Sequence, residues 1–160
     1  MEIERKWLID INNIPYNLND YEFLSIEQAY ISFEPTIRIR KIANLDKYIL
    51  TIKSSSIDGG LSRQEYEIDI TNCQYEELLN KKEGNVLNKN RYKIPYNKYT
   101  LELDIFNGTY SGLAYIEIEF NTTEEAKSFV PLAWFKKELT GDKKFTNASL
   151  ARGIDINEIL

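Results

Sequence analysis

Six charged doublets constrain this sequence more than any other feature. Each places two charged side chains two positions apart, and they are Glu2-Ile-Glu4, Arg38-Ile-Arg40, Glu65-Tyr-Glu67, Lys89-Asn-Arg91, Glu102-Leu-Asp104 and Glu117-Ile-Glu119. Alternate side chains of an extended strand point to the same face of a sheet, so each doublet puts two like charges on one side. An ordinary solvated face mixes signs and uses uncharged polar residues. Separate acidic and basic strands indicate instead a surface that holds cations in one place and a polyanion in another.

The alternation around these doublets predicts a barrel. It covers eight strand-like segments, namely 1–9, 25–33, 36–43, 47–54, 62–70, 85–94, 98–106 and 113–121. The connections at Glu34-Pro35 and Asn107-Gly108 are short and turn-like, which favours antiparallel neighbours. Helices are predicted over 71–82, from about 123 to Pro131 and from about 146 to Gly153. Eight strands are about the number that closes a sheet on itself. We therefore expect a mainly β fold, an eight-stranded antiparallel closed β-barrel with a few flanking α-helices, as a single domain over 1–160.

The composition excludes several classes of function. The chain has no histidine, which removes histidine-ligated zinc sites, Ser-His-Asp triads and imidazole acid–base chemistry. Cys73 is the only cysteine, so neither a disulfide within the chain nor a Cys-x-x-Cys site is expected. A net charge of -5 disfavours non-specific nucleic-acid binding, and no apolar run approaches transmembrane length. We expect a cytoplasmic protein with no nucleic-acid or membrane partner, whose anion site is local.

The charged residues favour one chemistry for the barrel interior. Carboxylates without His or Cys match hard divalent cations, Mg²⁺ or Mn²⁺ above Zn²⁺, and rows of Arg and Lys match phosphate oxygens. Together they describe a site for a metal-bound polyphosphate. Water attacking phosphorus is the simplest reaction there, because the sequence supplies no good covalent nucleophile with a base beside it. The alternative is an ordinary barrel with a solvated charged face, which would bind no ligand.

Glu2-Ile-Glu4-Arg-Lys6 begins a series of motifs that resembles the CYTH superfamily, also called the triphosphate tunnel metalloenzymes. The series continues through nearly the whole chain with Gln28-Ala-Tyr30, Thr36-Ile-Arg38-Ile-Arg40, Leu50-Thr-Ile-Lys53, Leu61-Ser-Arg63-Gln-Glu65-Tyr-Glu67, Lys89-Asn-Arg91, Glu102-Leu-Asp104-Ile-Phe106, Gly112-Leu-Ala-Tyr-Ile-Glu117-Ile-Glu119 and Leu139-Thr-Gly-Asp-Lys-Lys144-Phe-Thr-Asn-Ala-Ser-Leu150. The resemblance implies an eight-stranded hydrophilic tunnel, in which acidic residues hold divalent metal ions and basic residues grip a triphosphate.

Carried over position by position, the resemblance assigns roles to individual residues. The implied metal ligands are Glu2, Glu4, Glu117 and Glu119, with Asp104 close behind. The implied triphosphate grip is Lys6, Arg38, Arg40, Lys53, Lys89 and Arg91, joined by Arg63. The remaining acids, Glu65, Glu67 and Glu102, would orient the basic row or bind metal through water. Lys144 and Phe145 stand where the family usually has Arg-Tyr, and a lysine there can still meet a phosphate.

Among the activities of the family, the motifs look most like those of the short bacterial inorganic triphosphatases. The expected reaction is Mg²⁺- or Mn²⁺-dependent hydrolysis of inorganic tripolyphosphate, a small-molecule substrate, to pyrophosphate and phosphate. The alternatives are a nucleoside or thiamine triphosphatase, a class IV adenylyl cyclase, and a polyphosphate-binding module without catalysis. The same resemblance suggests that Tyr30 pairs with Lys6, which would take a proton from the attacking water. The alternative for Tyr30 is packing within its strand.

Overall fold

The computed structural model describes residues 1–55 and 58–159. Its strands are β1 (Glu2–Ile9), β2 (Phe23–Ser32), β3 (Thr36–Ile42), β4 (Lys47–Lys53), β5 (Ser62–Arg63), β6 (Glu65–Asp69), β7 (Glu83–Tyr96), β8 (Tyr99–Phe106), β9 (Ala114–Glu119) and β10 (Phe135–Glu138). Its α-helices are α1 (Asn72–Leu79), α2 (Thr123–Ser128), α3 (Asn147–Ala151) and α4 (Ile156–Ile159). Within these described residues, every helix is too short or too polar to cross a membrane.

The strands form an antiparallel ring. Neighbours follow the order β1, β9, β8, β7, β2, β3, β4, β6, and β5 pairs with β1 to close the circuit. The segment predicted as one strand over 62–70 is therefore two short strands that share one place in the ring, interrupted at Gln64. The predicted eight-stranded antiparallel barrel is confirmed. Unpredicted β10 pairs with the far end of the same edge of β1, where Trp7 lies opposite Glu138.

The register of the ladders turns charged side chains inward and apolar ones outward. Lys6 on β1 lies opposite Glu117 on β9, and both face the interior. Trp7 and Ile9, in the opposite phase, are buried in an outer cluster that also takes in Ala126 of α2. A barrel of this size can keep a charged interior because the helices cover its outer face and supply the hydrophobic core there.

An apolar plug closes one end of the interior. Four of the charged rows continue into an apolar residue at that end: Lys6 is followed in phase by Leu8, Glu117 by Tyr115, Lys89 by Leu87 and Asp104 by Phe106. Phe145 and Leu150, from the segment after β10, pack against these side chains. The charged cavity is consequently confined to the rest of the barrel.

Two glycine-bearing turns meet beside the closing strands. Gly60 precedes β5 and Gly141 follows β10, and their φ angles are +95° and +75°. A Cβ atom on Gly60 would overlap the Cα of Gly141, and one on Gly141 would overlap the carbonyl oxygen of Gly59. Only glycine permits both the positive φ and this contact between backbones.

Candidate active site

The barrel encloses a cavity of about 1340 Å³ whose wall is made of charged side chains. The ladders explain why, since successive strands present their inward positions to one common space. The residues singled out from the sequence that line this cavity are Glu2, Glu4, Lys6, Tyr30, Arg38, Arg40, Lys53, Arg63, Glu65, Glu67, Arg91, Glu102, Glu117 and Glu119. Residues far apart in the sequence are thereby brought together in one site.

Asp104 and Lys89 instead form the centre of a buried ion network beneath the cavity wall. Asp104 is 0% exposed and Lys89 is 1% exposed. The Lys89 Nζ atom donates to Asp104 Oδ2 at 2.7 Å, and Arg91 donates from Nε to Oδ1 at 2.7 Å and from Nη2 to Oδ2 at 2.9 Å. Burial would raise the pKa of Asp104, but the charges of Arg91 and Lys89 outweigh it and hold that pKa well below its usual range. Both carboxylate oxygens are therefore occupied by cations, and this geometry favours a structural role over metal binding for Asp104.

Arg38 and Arg40 are also buried, at 5% and 9% exposure, but their environment differs. The nearest carboxylate to Arg38 is Glu65, at 3.9 Å, and Arg38 Nη2 donates to the hydroxyl of Thr51 at 3.3 Å. Arg40 donates from Nε and Nη2 to a neutral acceptor, the Oε1 atom of Gln28, at 3.1 and 3.0 Å. Burial and then the neighbouring charges of Arg38 and Arg91 lower the pKa of Arg40 to about 9. Two guanidinium groups thus face the cavity with little compensating charge from the protein.

Glu65 and Glu102 lie where they would orient basic side chains. Glu65 is 3.8 Å from Lys53 Nζ, which donates more closely to Glu2 at 3.2 Å. Glu102 is 3.2 Å from Arg91 Nη1. These ion pairs are half-buried at the cavity wall, and they fix the Lys53 and Arg91 side chains there.

Glu4 and Glu117 form a carboxyl pair on adjacent strands. Burial and then the charge of Glu117 raise the pKa of Glu4 well above its usual range. Burial would also raise the pKa of Glu117, but Lys6 and Arg91 reverse the direction and lower it. Burial and the charges of Glu2 and Glu102 raise the pKa of Glu119. The acidic side of the cavity is therefore overcharged unless a proton or a cation lies between its carboxylates.

This acidic side fits a hard divalent cation in its donor chemistry. All of its ligands would be carboxylate oxygens, the donors that Mg²⁺ and Mn²⁺ prefer. Within residues 1–55 and 58–159, no three acidic side chains converge closely enough to form a preformed metal site. The carboxylates are paired instead, as in the contact between the Glu4 and Glu117 side chains. A bound cation and its substrate would have to draw them together.

Lys6 lies at the boundary between the charged cavity and the apolar plug. Its Nζ atom donates to the carbonyl oxygen of Phe145 at 2.7 Å and lies 4.2 Å from the ring centroid of Tyr115. Tyr30 also lines the cavity, with its ring stacked on Phe33 at a centroid distance of 5.2 Å. Among the described residues no hydrogen bond joins Lys6 to Tyr30, so their pairing stays a prediction.

The segment after β10 contributes residues that the sequence analysis missed. Thr140 accepts a hydrogen bond from the backbone N–H of Lys6 through its hydroxyl, at 3.0 Å, and Lys143 lines the cavity. Lys144, the predicted substrate contact, is exposed on the same turn and lies away from the cavity wall. The adjacent positions differ because the short 3-10 turn from Lys143 to Phe145 points Phe145 into the plug. The local Asp142-Lys-Lys pattern could not distinguish the two lysines.

Comparison with known proteins agrees with this geometry. Residues 1–147 match the sequence profile of the CYTH domain. The chain is 38% identical over 157 residues to an inorganic triphosphatase of Nitrosomonas europaea, an alignment that covers 96% of this chain and 98% of the relative. It is 36% identical over 126 residues to an inorganic triphosphatase of Acetivibrio thermocellus, covering 78% of each chain. A crystal structure of an inorganic triphosphatase matches the fold with a TM-score of 0.68, at 33% identity and over 97% of each chain.

Proposed function

Because this chain belongs to the CYTH family, we propose that it hydrolyses a triphosphate, with inorganic tripolyphosphate as substrate and pyrophosphate and phosphate as products. The observation that carries the proposal is the pair Arg38 and Arg40, which face the cavity as buried cations. A buried charge with weak or neutral partners is costly to the fold, so the persistence of these two charges favours an anion that binds there. Their guanidinium groups match phosphate oxygens in shape and charge.

The acidic side of the cavity supports the second half of the proposal. Enzymes of the CYTH family generally depend on divalent metal ions. We propose Mg²⁺ or Mn²⁺ here, held by Glu2, Glu4, Glu117 and Glu119. Such an ion would neutralise the repulsion between the carboxylates and the polyphosphate and would polarise the phosphoryl oxygens. Asp104 is left out of this set because Lys89 and Arg91 occupy its oxygens.

We assign separate roles in this reaction to the residues that line the cavity. Arg38 and Arg40 bind phosphate oxygens, and Lys53, Arg63 and Arg91 add positive charge around them. The oxygen of a water molecule forms a bond to the terminal phosphorus while the bridging P–O bond breaks, and pyrophosphate leaves with the bonding electron pair. Lys6, whose pKa burial lowers, is the proposed acceptor of the proton that the water releases, with Tyr30 beside the site.

Two further properties belong to the proposal. We place the protein in the cytoplasm, since its single cysteine, Cys73, is a free exposed thiol. We also propose that the chain folds as one domain over 1–160, because the barrel is built from strands spread from β1 to β9. Neither a membrane nor a nucleic acid is expected as a partner.

A substrate panel tests the proposed function. Tripolyphosphate, ATP, GTP, thiamine triphosphate and pyrophosphate would be compared for phosphate release with Mg²⁺ or with Mn²⁺. We expect tripolyphosphate to be hydrolysed fastest, and the control variant Glu77→Gln, on the exposed side of α1, to match the wild type. Binding of tripolyphosphate without any turnover would identify a binding module instead. A faster reaction with a nucleotide or with thiamine triphosphate would change the substrate.

A further inference from the structure

Gln28 holds the Arg40 guanidinium from behind the cavity wall. It lies on β2 directly opposite Arg40 on β3, and its side chain is 0% exposed. Arg40 donates to the Gln28 Oε1 atom from both Nε and Nη2, at 3.1 and 3.0 Å. A guanidinium has five N–H donors and no acceptor, so three N–H groups remain for the cavity.

Because Gln28 is uncharged, its contact with Arg40 stabilises the fold less than an ion pair would. The Nε2 atom of Gln28 is buried and has no hydrogen-bond partner among the described residues. Within the same residues, no carboxylate oxygen lies within 4.0 Å of the Arg40 guanidinium. A glutamate in this position would remove the unpaired donor and supply a counter-charge, so stability alone would favour glutamate. A glutamine is explained if the positive charge of Arg40 has to stay uncompensated by the protein so that it can attract a bound anion.

We propose that Gln28 is a positioning residue that aims Arg40 at the substrate while leaving its charge uncompensated, so that the polyphosphate supplies the counter-charge. The inference rests on the proposed function and adds a determinant of anion affinity to it. Gln28 does not line the cavity and therefore acts through Arg40. The chemical class that this arrangement favours is a phosphate group with free oxygens, which can accept two parallel N–H bonds.

Two substitutions separate positioning from stability. Gln28→Glu keeps the size and the acceptor but places a carboxylate against Arg40. We expect the KM for tripolyphosphate and the Kd for pyrophosphate with Mg²⁺ to rise about tenfold or more, the size of a lost charge-assisted bond. The melting temperature should equal or exceed that of the wild type. The matched control is Gln74→Glu, the same change on exposed α1, where glutamate also suits the capping box with Thr71.

The second substitution, Gln28→Met, removes the acceptor without adding charge. We expect about a 2- to 10-fold rise in the same two constants, since one neutral acceptor is lost. Wild-type constants in a folded Gln28→Glu protein would overturn the inference. If Gln28→Glu fails to fold, unchanged constants in Gln28→Met would overturn it equally, and raised constants without loss of melting temperature would support it. The pyrophosphate Kd series reports on Gln28 even if tripolyphosphate is not hydrolysed, a result that would defeat the proposed function instead.

Discussion

Two groups of buried or half-buried basic side chains lie in the wall of this barrel, Lys89 with Arg91 and Arg38 with Arg40. They differ in the source of the negative charge that balances them. Lys89 and Arg91 share Asp104, whose two oxygens receive bonds of 2.7 to 2.9 Å from them. Arg38 and Arg40 have only neutral partners within hydrogen-bond distance, Thr51 and Gln28. Burial of a basic side chain in this chain therefore does not by itself indicate that it binds substrate. What marks the second group is that, among the described residues, its nearest carboxylate is 3.9 Å away, and we therefore propose it as the phosphate-binding group.

The largest effect is expected from removing divalent cations, which we propose for the acidic side of the cavity and not for the Asp104 network. We expect a chelator to abolish phosphate release and Mg²⁺ or Mn²⁺ to restore it, because the carboxylates otherwise repel the substrate. Glu4→Gln and Glu119→Gln should each require more metal. Full activity in excess chelator would refute the metal assignment.

The next test removes the shared counter-charge by the substitution Asp104→Asn. Buried Lys89 would then lose its carboxylate partner, while half-buried Arg91 would keep its ion pair with Glu102 at 3.2 Å. We expect the free energy of unfolding to fall by about 3–5 kcal/mol. Urea denaturation measures this loss. Glu102→Gln is the matched control, since Glu102 is half-buried and also forms an ion pair with Arg91, at 3.2 Å. If Asp104→Asn is as stable as the wild type but inactive, Asp104 belongs to the metal site as the sequence suggested.

The complementary test acts on the uncompensated group through Arg38→Ala. Transition-state stabilisation should drop by about 2–3 kcal/mol, roughly a 30- to 150-fold loss in kcat/KM, as for a charge-assisted contact with phosphate. The melting temperature should change little, because the nearest carboxylate to Arg38, that of Glu65, is 3.9 Å away and forms only a weak ion pair. Steady-state kinetics and a thermal scan of the same preparation provide both values. Unchanged kinetics with a collapsed melting temperature would make Arg38 structural, and exposed Lys98→Ala serves as the control for charge.

The smallest effect is expected from a substitution of Tyr30, which lies in phase with Gln28 on β2. Tyr30→Phe keeps the ring that stacks on Phe33 and removes only the hydroxyl. If the hydroxyl assists Lys6, turnover should fall several-fold while Lys6→Ala loses far more. Measurement of kcat for both variants decides between the two roles of Tyr30. Wild-type turnover in Tyr30→Phe would leave this tyrosine as packing.

The face on which each charge lies was predictable because the side-chain period of a strand is two residues. That period predicted the strands of the barrel, and it predicted that Arg38, Arg40 and Glu117 face the same interior, where the structure has them lining one cavity. It could not distinguish Asp104 from Glu117, since both alternate correctly and only the ladder between β7 and β8 places Asp104 opposite Arg91. The partner of an inward-facing side chain depends on the pairing register between strands, which the two-residue period of a single strand does not encode.

The segment after β9 was predicted least well, and for a related reason. β10 has only four residues, and it forms because β1 offers an unpaired edge beyond β5. Thr140 and Lys143 reach the site because Leu139 donates its backbone N–H to the carbonyl oxygen of Lys6 at 2.8 Å. Their positions follow from that tertiary contact and not from their own sequence pattern.

The short closure between β1 and β5 affects how the barrel moves. Among the described residues, two ladder pairs, Glu2 with Arg63 and Ile3 with Ser62, join the ring there, together with the bond from the Glu4 N–H to the Leu61 carbonyl oxygen at 3.1 Å. The packed glycines Gly60 and Gly141 lie beside them. Backbone amides near this clasp should exchange with deuterated solvent sooner than those of the long β7 and β8 ladder, because fewer bonds must break to free them. We expect the barrel to open first between β1 and β5, next to Glu2 and Glu4, the proposed metal ligands on β1.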